Sequence, residues 1–287
     1  MERCLIVGVL NCTPDSFSGE GIVEPARAIE AGLALVEAGA DWLDIGGEST
    51  RPGARQVPAD EEMDRVLPVV EGLARILGDR AVLSIDTYKA VTARAAIAVG
   101  ASVVNDVSGG LLDPNLLPVV AMTGATLVLG HLRGEPATMM EQVAFGDVVA
   151  EVTAELQERV AAAREAGCRN VWADPGIGFG KRIEHNLELL GALPELVTAL
   201  GEMDVPLMLG VSRKAFIGQL TGKAVGERQF GTAAAVTACV LGGAAAVRVH
   251  DVASMRDVVA VAQAIGAARG HRNFRLSQVP VRPSRRI

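Results

Sequence analysis

A chain of 287 residues, nearly half of them apolar and only 3% aromatic, can bury a large core built mainly from Gly, Ala and Val rather than from rings. Its net charge of −7 argues against a broad nucleic-acid or membrane surface, while leaving room for a local basic site that takes a small anion. Cys4, Cys12, Cys168 and Cys239 form no CxxC pair and have no histidine at ligand spacing, and no apolar run reaches membrane-spanning length. A reducing, cytoplasmic setting is therefore expected.

In chain order, the first apolar run is Leu5–Leu10. With Arg3 ahead of it, it faintly imitates a secretion signal, but it is short and lacks a small-residue cleavage pattern, so it reads as a strand. Further strands are expected at Trp42–Ile45, Val82–Ile85, Val103–Val104, Thr126–Leu129, Val171–Ala173, Pro206–Val211 and Ala245–Val249. Helical patterns alternate with them at Ala26–Ala38, Asp60–Leu77, Lys89–Val99, Asn115–Met122, Phe145–Ala166, His185–Leu200, Gly231–Leu241 and Ala253–Ala268. Most stop at a glycine, which suits the left-handed residue after a helix end. Eight near-equal units predict an α/β fold: a single (β/α)8 barrel over residues 1–270, eight parallel strands with outer helices. A doubly wound open sheet is the alternative, but the chain lacks a glycine-rich dinucleotide fingerprint. Residues 271–287, rich in Arg and Pro, read as a flexible basic tail.

In such barrels the chemistry sits where strands end. Those positions hold Asn11 and Asp15; Glu48, Thr50 and Arg51; Asp86; Asn105-Asp106; His131 and Arg133; Asp174; Ser212-Arg213-Lys214; and Arg248 with His250. One Asp at a strand end is more often a helix cap than a site residue, but eight polar ends on one face mark a binding site. Within Leu207–Gly218, a strand-length apolar run breaks into Ser212-Arg213-Lys214 just before a short helical segment, Ala215–Leu220. Cations there oppose the helix dipole unless an anionic or electron-rich ligand lies beside them.

Asp86, Asn105 and Asp174 suit a flat ligand rich in N–H donors, because a desolvated carboxylate needs a partner. Lys214 offers a point-charge donor to a carbonyl or ring nitrogen. Arg248 and His250, two apart on one strand, leave it on the same side and can address one anion, with phosphate or diphosphate the obvious candidate. Asn11 and nearby oxygens could hold Mg2+, which prefers oxygen ligands and substrate phosphates. The loops over residues 13–21 and 49–58 are long, rich in Gly, Pro and Ser, and carry Asp15 and Arg51, so they read as lids.

These stretches resemble, in order, the motifs of the dihydropteroate synthase family. They are Gly8-Val-Leu-Asn-Cys-Thr-Pro-Asp-Ser-Phe-Ser18, Asp44-Ile-Gly-Gly-Glu-Ser-Thr-Arg-Pro-Gly-Ala54, Ser84-Ile-Asp-Thr87 and Asn105-Asp-Val-Ser-Gly109, followed by His131-Leu-Arg-Gly-Glu-Pro-Ala-Thr-Met139, Asp174-Pro-Gly-Ile-Gly-Phe-Gly-Lys181, Ser212-Arg-Lys214 and Arg248-Val-His250. The resemblance covers nearly the whole chain and stops before the tail. It implies a pterin-binding TIM barrel that condenses 6-hydroxymethyl-7,8-dihydropterin diphosphate with p-aminobenzoate, releasing diphosphate, as a homodimer acting on small molecules.

By the same resemblance, Asp86, Asn105, Asp174 and Lys214 hold the pterin. Thr50, Arg248 and His250 meet diphosphate, and Asn11 meets Mg2+. Arg51, Phe179 and Ala215 lie about p-aminobenzoate, with Asp15, Asp174 and Lys214 closest to the chemistry. Asp15 and Asp174 would stabilise a pterin-methylene cation that the neutral amine attacks, so no enzyme nucleophile is assigned and Cys12 reads as buried filler.

Three departures stand out. Gly19-Glu20-Gly21 replaces a usual Asp-Gly-Gly, and Ala215 stands where many members place a Ser beside the p-aminobenzoate carboxylate. Gly130 and Leu132 flank His131 where methionines are usual. The competing readings are a corrinoid-linked methyltransferase on a related barrel, which would not need Thr13–Phe17 or Glu48–Arg51, and a non-catalytic pterin-binding barrel.

Overall fold

The computed structural model describes residues 3–13, 24–50 and 55–269. Eight strands form one parallel sheet: β1 Leu5–Asn11, β2 Trp42–Gly46, β3 Val82–Asp86, β4 Val103–Asp106, β5 Thr126–Gly130, β6 Val171–Asp174, β7 Met208–Leu209 and β8 Ala246–Val249. Their order is β6-β5-β4-β3-β2-β1-β8-β7, and a bridge from Ala173 to Leu207 joins the two outer strands into a ring. Outside lie α1 Pro25–Ala38, α2 Ala59–Leu77, α3 Ala90–Ala98, α4 Leu116–Thr123, α5 Val148–Glu165, α6 Ile183–Gly191, α7 Leu193–Gly201, α8 Ala215–Thr221, α9 Gln229–Leu241 and α10 Val252–Ala268. The barrel is the expected (β/α)8 architecture.

Strand alternation sorts the residues into two cores. One set of each strand faces the helices; Ile6, Leu43, Ile85, Val104, Leu127 and Leu209 belong to that large outer core. The opposite set fills the barrel interior, where Val7, Trp42, Val103, Val128, Met208 and Ala246 form a separate apolar plug. Trp42 and Trp172 meet edge to face there, ring centroids 5.0 Å apart. Two residues further along five of the strands the same inward face turns polar: Trp42 gives way to Asp44, Val82 to Ser84, Val103 to Asn105, Trp172 to Asp174 and Ala246 to Arg248. The site is thus the second layer of the barrel, resting on an apolar floor.

Several elements differ from expectation. The helix expected over His185–Leu200 is two helices, because Pro194 cannot donate within a helix and instead sits in the first turn of α7. α5 begins at Val148 rather than Phe145, since the Asp147 carboxylate caps the amides of Val149 and Ala150. β7 is only Met208–Leu209: Pro206 has no N–H for the ladder, and the chain after Leu209 already turns toward the site. Residues 271–287, read as a tail, lie outside the described residues.

Candidate active site

Five polar side chains meet on the polar layer. Asp44, 1% exposed, accepts from Ser84 Oγ at 2.6 Å, from Asn105 Nδ2 at 2.9 Å and from Arg248 Nε at 2.5 Å. Arg248 Nη2 donates to Asp86 Oδ2 at 2.7 Å. Register explains the convergence: Gly46 lies beside Asp86 and Asp86 beside Asn105, so the carboxylate and the amide leave neighbouring strands at one height. Burial pushes the Asp86 carboxyl up to about 7, with Asp44 adding to the rise and Arg248 opposing it. Burial also lowers the pKa of Arg248, but the flanking carboxylates more than reverse this and hold the guanidinium charged. Sequence reasoning assigned Arg248 to an anion and left Asp44 unassigned. The clue to Asp44 was a lone charge inside Trp-Leu-Asp-Ile-Gly, two residues beyond an inward Trp.

Opposite stand Asp174 and Lys214. Asp174 Oδ1 accepts from the Gly176 amide at 2.8 Å, and burial raises its carboxyl while that amide, Lys214 and Arg248 pull it back. Lys214, at the N-cap of α8, lies with Nζ 3.8 Å from the Phe179 ring centroid, and burial lowers its ammonium to about 8. Gly178 makes this approach possible: at φ +81°, a Cβ there would come within 2.9 Å of Lys214 Cδ.

Asn11, Arg213 and His250 line a cavity of about 430 Å³ that lies between the end of β1, the α1 face of Ala31, Ala34, Leu35 and Ala38, and the start of α10. His250 Nδ1 lies 3.0 Å from Ser212 Oγ. Arg213 adopts φ +60°, rare for a side chain of its size; its amide donates to Thr232 Oγ1, and Arg228 holds the carbonyls of Arg213 and Lys214. That corner turns Ser212 toward His250 and Lys214 toward Phe179. Thr50 is half-buried and Ala215 exposed at the first turn of α8, while Asp15 and Arg51 lie outside the described residues.

Not every strand-end polar group reaches this layer. His131 is fully buried behind it: Nε2 bonds Glu155 at 3.0 Å and Nδ1 meets Lys181 Nζ at 2.8 Å. Arg133 binds Glu151 and Glu155, and Asp106 caps its own turn through Ser108 and Gly110. These three serve the wall rather than the cavity, because each finds a partner closer than the barrel axis. Glu48 is likewise engaged, by Tyr88 and Lys89; Lys89 also bonds buried Glu62, and Arg65 grips the Gly47 carbonyl. The stem carrying Thr50 is thereby fixed to α2 and α3. Cys12 is fully buried with its thiol pushed up to about 12, which makes it inert filler.

Residues 7–250 match the pterin-binding enzyme family. The dihydropteroate synthase of Mycobacterium leprae is 44% identical over 266 residues, covering 89% of this chain and 91% of that protein. The Synechocystis dihydropteroate synthase is 41% identical over 268 residues, covering 92% and 91%. The folic acid synthesis protein fol1 of Schizosaccharomyces pombe is 43% identical over 269 residues, but there the chain spans only 37% of the relative's length. Among solved structures, Xanthomonas albilineans dihydropteroate synthase with 4-aminobenzoic acid superposes with a TM-score of 0.84 at 44% identity, over 93% of this chain and 94% of that one. An inward layer of Asp44, Asp86, Asn105, Asp174, Lys214 and Arg248, together with these matches, means that the chain belongs to the pterin-binding enzymes, among the dihydropteroate synthases.

Proposed function

We propose that this barrel condenses a 6-hydroxymethyl-7,8-dihydropterin diphosphate with p-aminobenzoate to give 7,8-dihydropteroate and diphosphate. The observation that carries this is the buried set Asp44, Asp86, Asn105 and Asp174, into which Lys214 and Arg248 bring positive charge. Carboxylates and an amide on one barrel layer match the alternating donors and acceptors of a pterin edge. The solved Xanthomonas albilineans relative that holds 7,8-dihydropteroate supports the same substrate class.

Asp86, Asn105, Asp174 and Lys214 take the pterin. Arg248, with 21% of its side chain exposed and Nη1 turned from the bonds to Asp44 and Asp86, reaches a diphosphate oxygen, joined by His250 and Thr50. Asn11 offers an amide oxygen to the cavity that Arg213 and His250 also line, which fits Mg2+ held mostly by substrate phosphates. Bound there, the ion would neutralise the departing diphosphate.

As the C–O bond to diphosphate breaks, Asp174 stabilises the developing pterin-methylene cation, a role that the family resemblance also gives Asp15. Phe179 and Ala215 border the incoming amine, for which the family resemblance also supplies Arg51, and its free base attacks and then sheds its proton. No covalent enzyme intermediate is needed. Because Ala215 carries no hydroxyl, the carboxylate of p-aminobenzoate meets only backbone N–H groups at that point. The exposed apolar residues Phe230, Val261 and Ile265 of α9 and α10 support a homodimer, and four buried free thiols support a cytoplasmic setting. Among the described residues no helix is long and apolar enough to cross a membrane.

Purified protein is incubated with the dihydropterin diphosphate and Mg2+, with and without p-aminobenzoate, and diphosphate and dihydropteroate are measured. Diphosphate release that requires p-aminobenzoate, yields dihydropteroate and stops on chelation is the expected result. Tight pterin binding without release would point instead to the methyltransferase or binding-protein reading.

A further inference from the structure

Lys181 is 4% exposed and reaches back to the loop that follows β6. Its ammonium lies 2.8 Å from His131 Nδ1, 3.2 Å from the carbonyl oxygens of Gly176 and Phe179, and 3.4 Å from that of His131. Burying an ammonium is costly, and an apolar side chain would fill the same space, so the group is explained by what it gathers. It gathers the exits of two strands: His131 follows β5, while Gly176 and Phe179 belong to the loop after β6.

That loop needs an anchor. Gly176, Gly178 and Gly180 all sit at positive φ, +68°, +81° and +56°, conformations that glycine reaches easily and leaves as easily. Its own bonds are few: Gly176 N to Asp174 Oδ1, Phe179 N to Gly176 O, and Gly178 N to Asn186 Oδ1. The histidine is arranged to receive the amine. Burial lowers its pKa to about 4, so the ring is neutral; with Nε2–H donated to Glu155, the Nδ1 lone pair faces Lys181.

We propose that Lys181 is a positioning residue for the arylamine substrate: by drawing the Gly176 and Phe179 carbonyls and His131 onto one buried amine, it sets the Phe179 ring against Lys214. This rests on the assignment of Phe179 to p-aminobenzoate made above. Of the groups facing the pterin, Asp44, Asp86 and Asn105 stand on strands that Lys181 does not touch, and only Asp174, through the Gly176 amide, and Lys214, through the Phe179 ring, meet the loop, so loosening it acts more on the second substrate than on the pterin.

The test compares Lys181→Met with wild type, reading KM for p-aminobenzoate by steady-state kinetics and Kd for the dihydropterin diphosphate by calorimetry. The expected result is a KM about tenfold higher or more, with the pterin Kd within about threefold, since a misplaced wall costs binding of the group it borders. Constants that rise together, or a KM that stays put, overturn the proposal. If circular dichroism shows Lys181→Met unfolded, His131→Leu, which removes one partner of the amine, is judged instead by a KM rise of about fivefold against a pterin Kd that stays within about twofold. Phe179→Leu is measured alongside. An unchanged KM there overturns the Phe179 assignment and this proposal with it, whereas a raised KM with wild-type behaviour in Lys181→Met overturns the positioning role alone.

Discussion

Arg248 Nη2 and Asp86 Oδ2 meet at 2.7 Å although 162 residues of chain separate them, and the same guanidinium holds Asp44. Removing the cation leaves two carboxylates facing each other in a buried layer. Arg248→Met is therefore expected to lose about 3–5 kcal/mol of stability in urea denaturation. Adding Asp86→Asn removes one of the repelling charges and should recover part of that loss without restoring turnover. A double variant no more stable than the single one would show that the pair does not govern this layer.

Pterin affinity should depend on pH through Asp86. Its folded pKa is raised from 3.8 to about 7, so below that point the group is a neutral acid and cannot receive two ligand N–H donors as a carboxylate. Affinity is expected to fall about tenfold per pH unit below about 7, followed by calorimetry from pH 5.5 to 8. Asp86→Asn should flatten the profile and cost about 2–3 kcal/mol of binding. For the unliganded fold the sign reverses: stability from this group is full below pH 3.8 and is lost as pH rises through about 7.

His131 sets the acid limit of the fold. Its pKa is lowered by burial from 6.5 to about 4, so the stability it contributes is present above pH 6.5 and lost as pH falls through about 4. For a fully buried ring that shift corresponds to about 3 kcal/mol. Urea midpoints at pH 7 and pH 4.5 should converge in His131→Asn relative to wild type; an equal drop in both proteins would place the acid sensitivity elsewhere.

Two glycines with similar backbone angles should respond very differently to alanine. Gly176 and Gly124 sit at φ +68° and +72°, but a Cβ at Gly176 would lie 2.0 Å from the His131 carbonyl oxygen, whereas at Gly124 nothing lies within 4 Å. Gly124→Ala should cost only the left-handed penalty of about 1–2 kcal/mol. Gly176→Ala should cost more than about 3 kcal/mol and impair turnover, because the loop carrying Phe179 must move. Thermal unfolding of both variants, side by side, measures the difference.

Local patterns along the chain specify the barrel and most of the inventory of its mouth. Apolar runs, glycine stops and a polar residue at each strand end are local signals, and each reports on a few neighbouring residues. The strand alternation that turns Trp42 and Ala246 inward also turns Asp44 and Arg248 inward, so even Asp44 was legible to anyone counting in twos. Pro194 and Asp147 were equally local warnings that one helix would split and another start late.

Which polar groups work together follows from the closed barrel. Register across closed strands pairs Arg248 with Asp44 and Asp86, retires His131 and Arg133 to the wall with Glu155, and brings Lys181 beneath the loop it anchors. Those choices are made by the lowest-cost partner for each buried charge. A partner 50 or 162 residues away is fixed by ring closure, which no stretch of sequence contains.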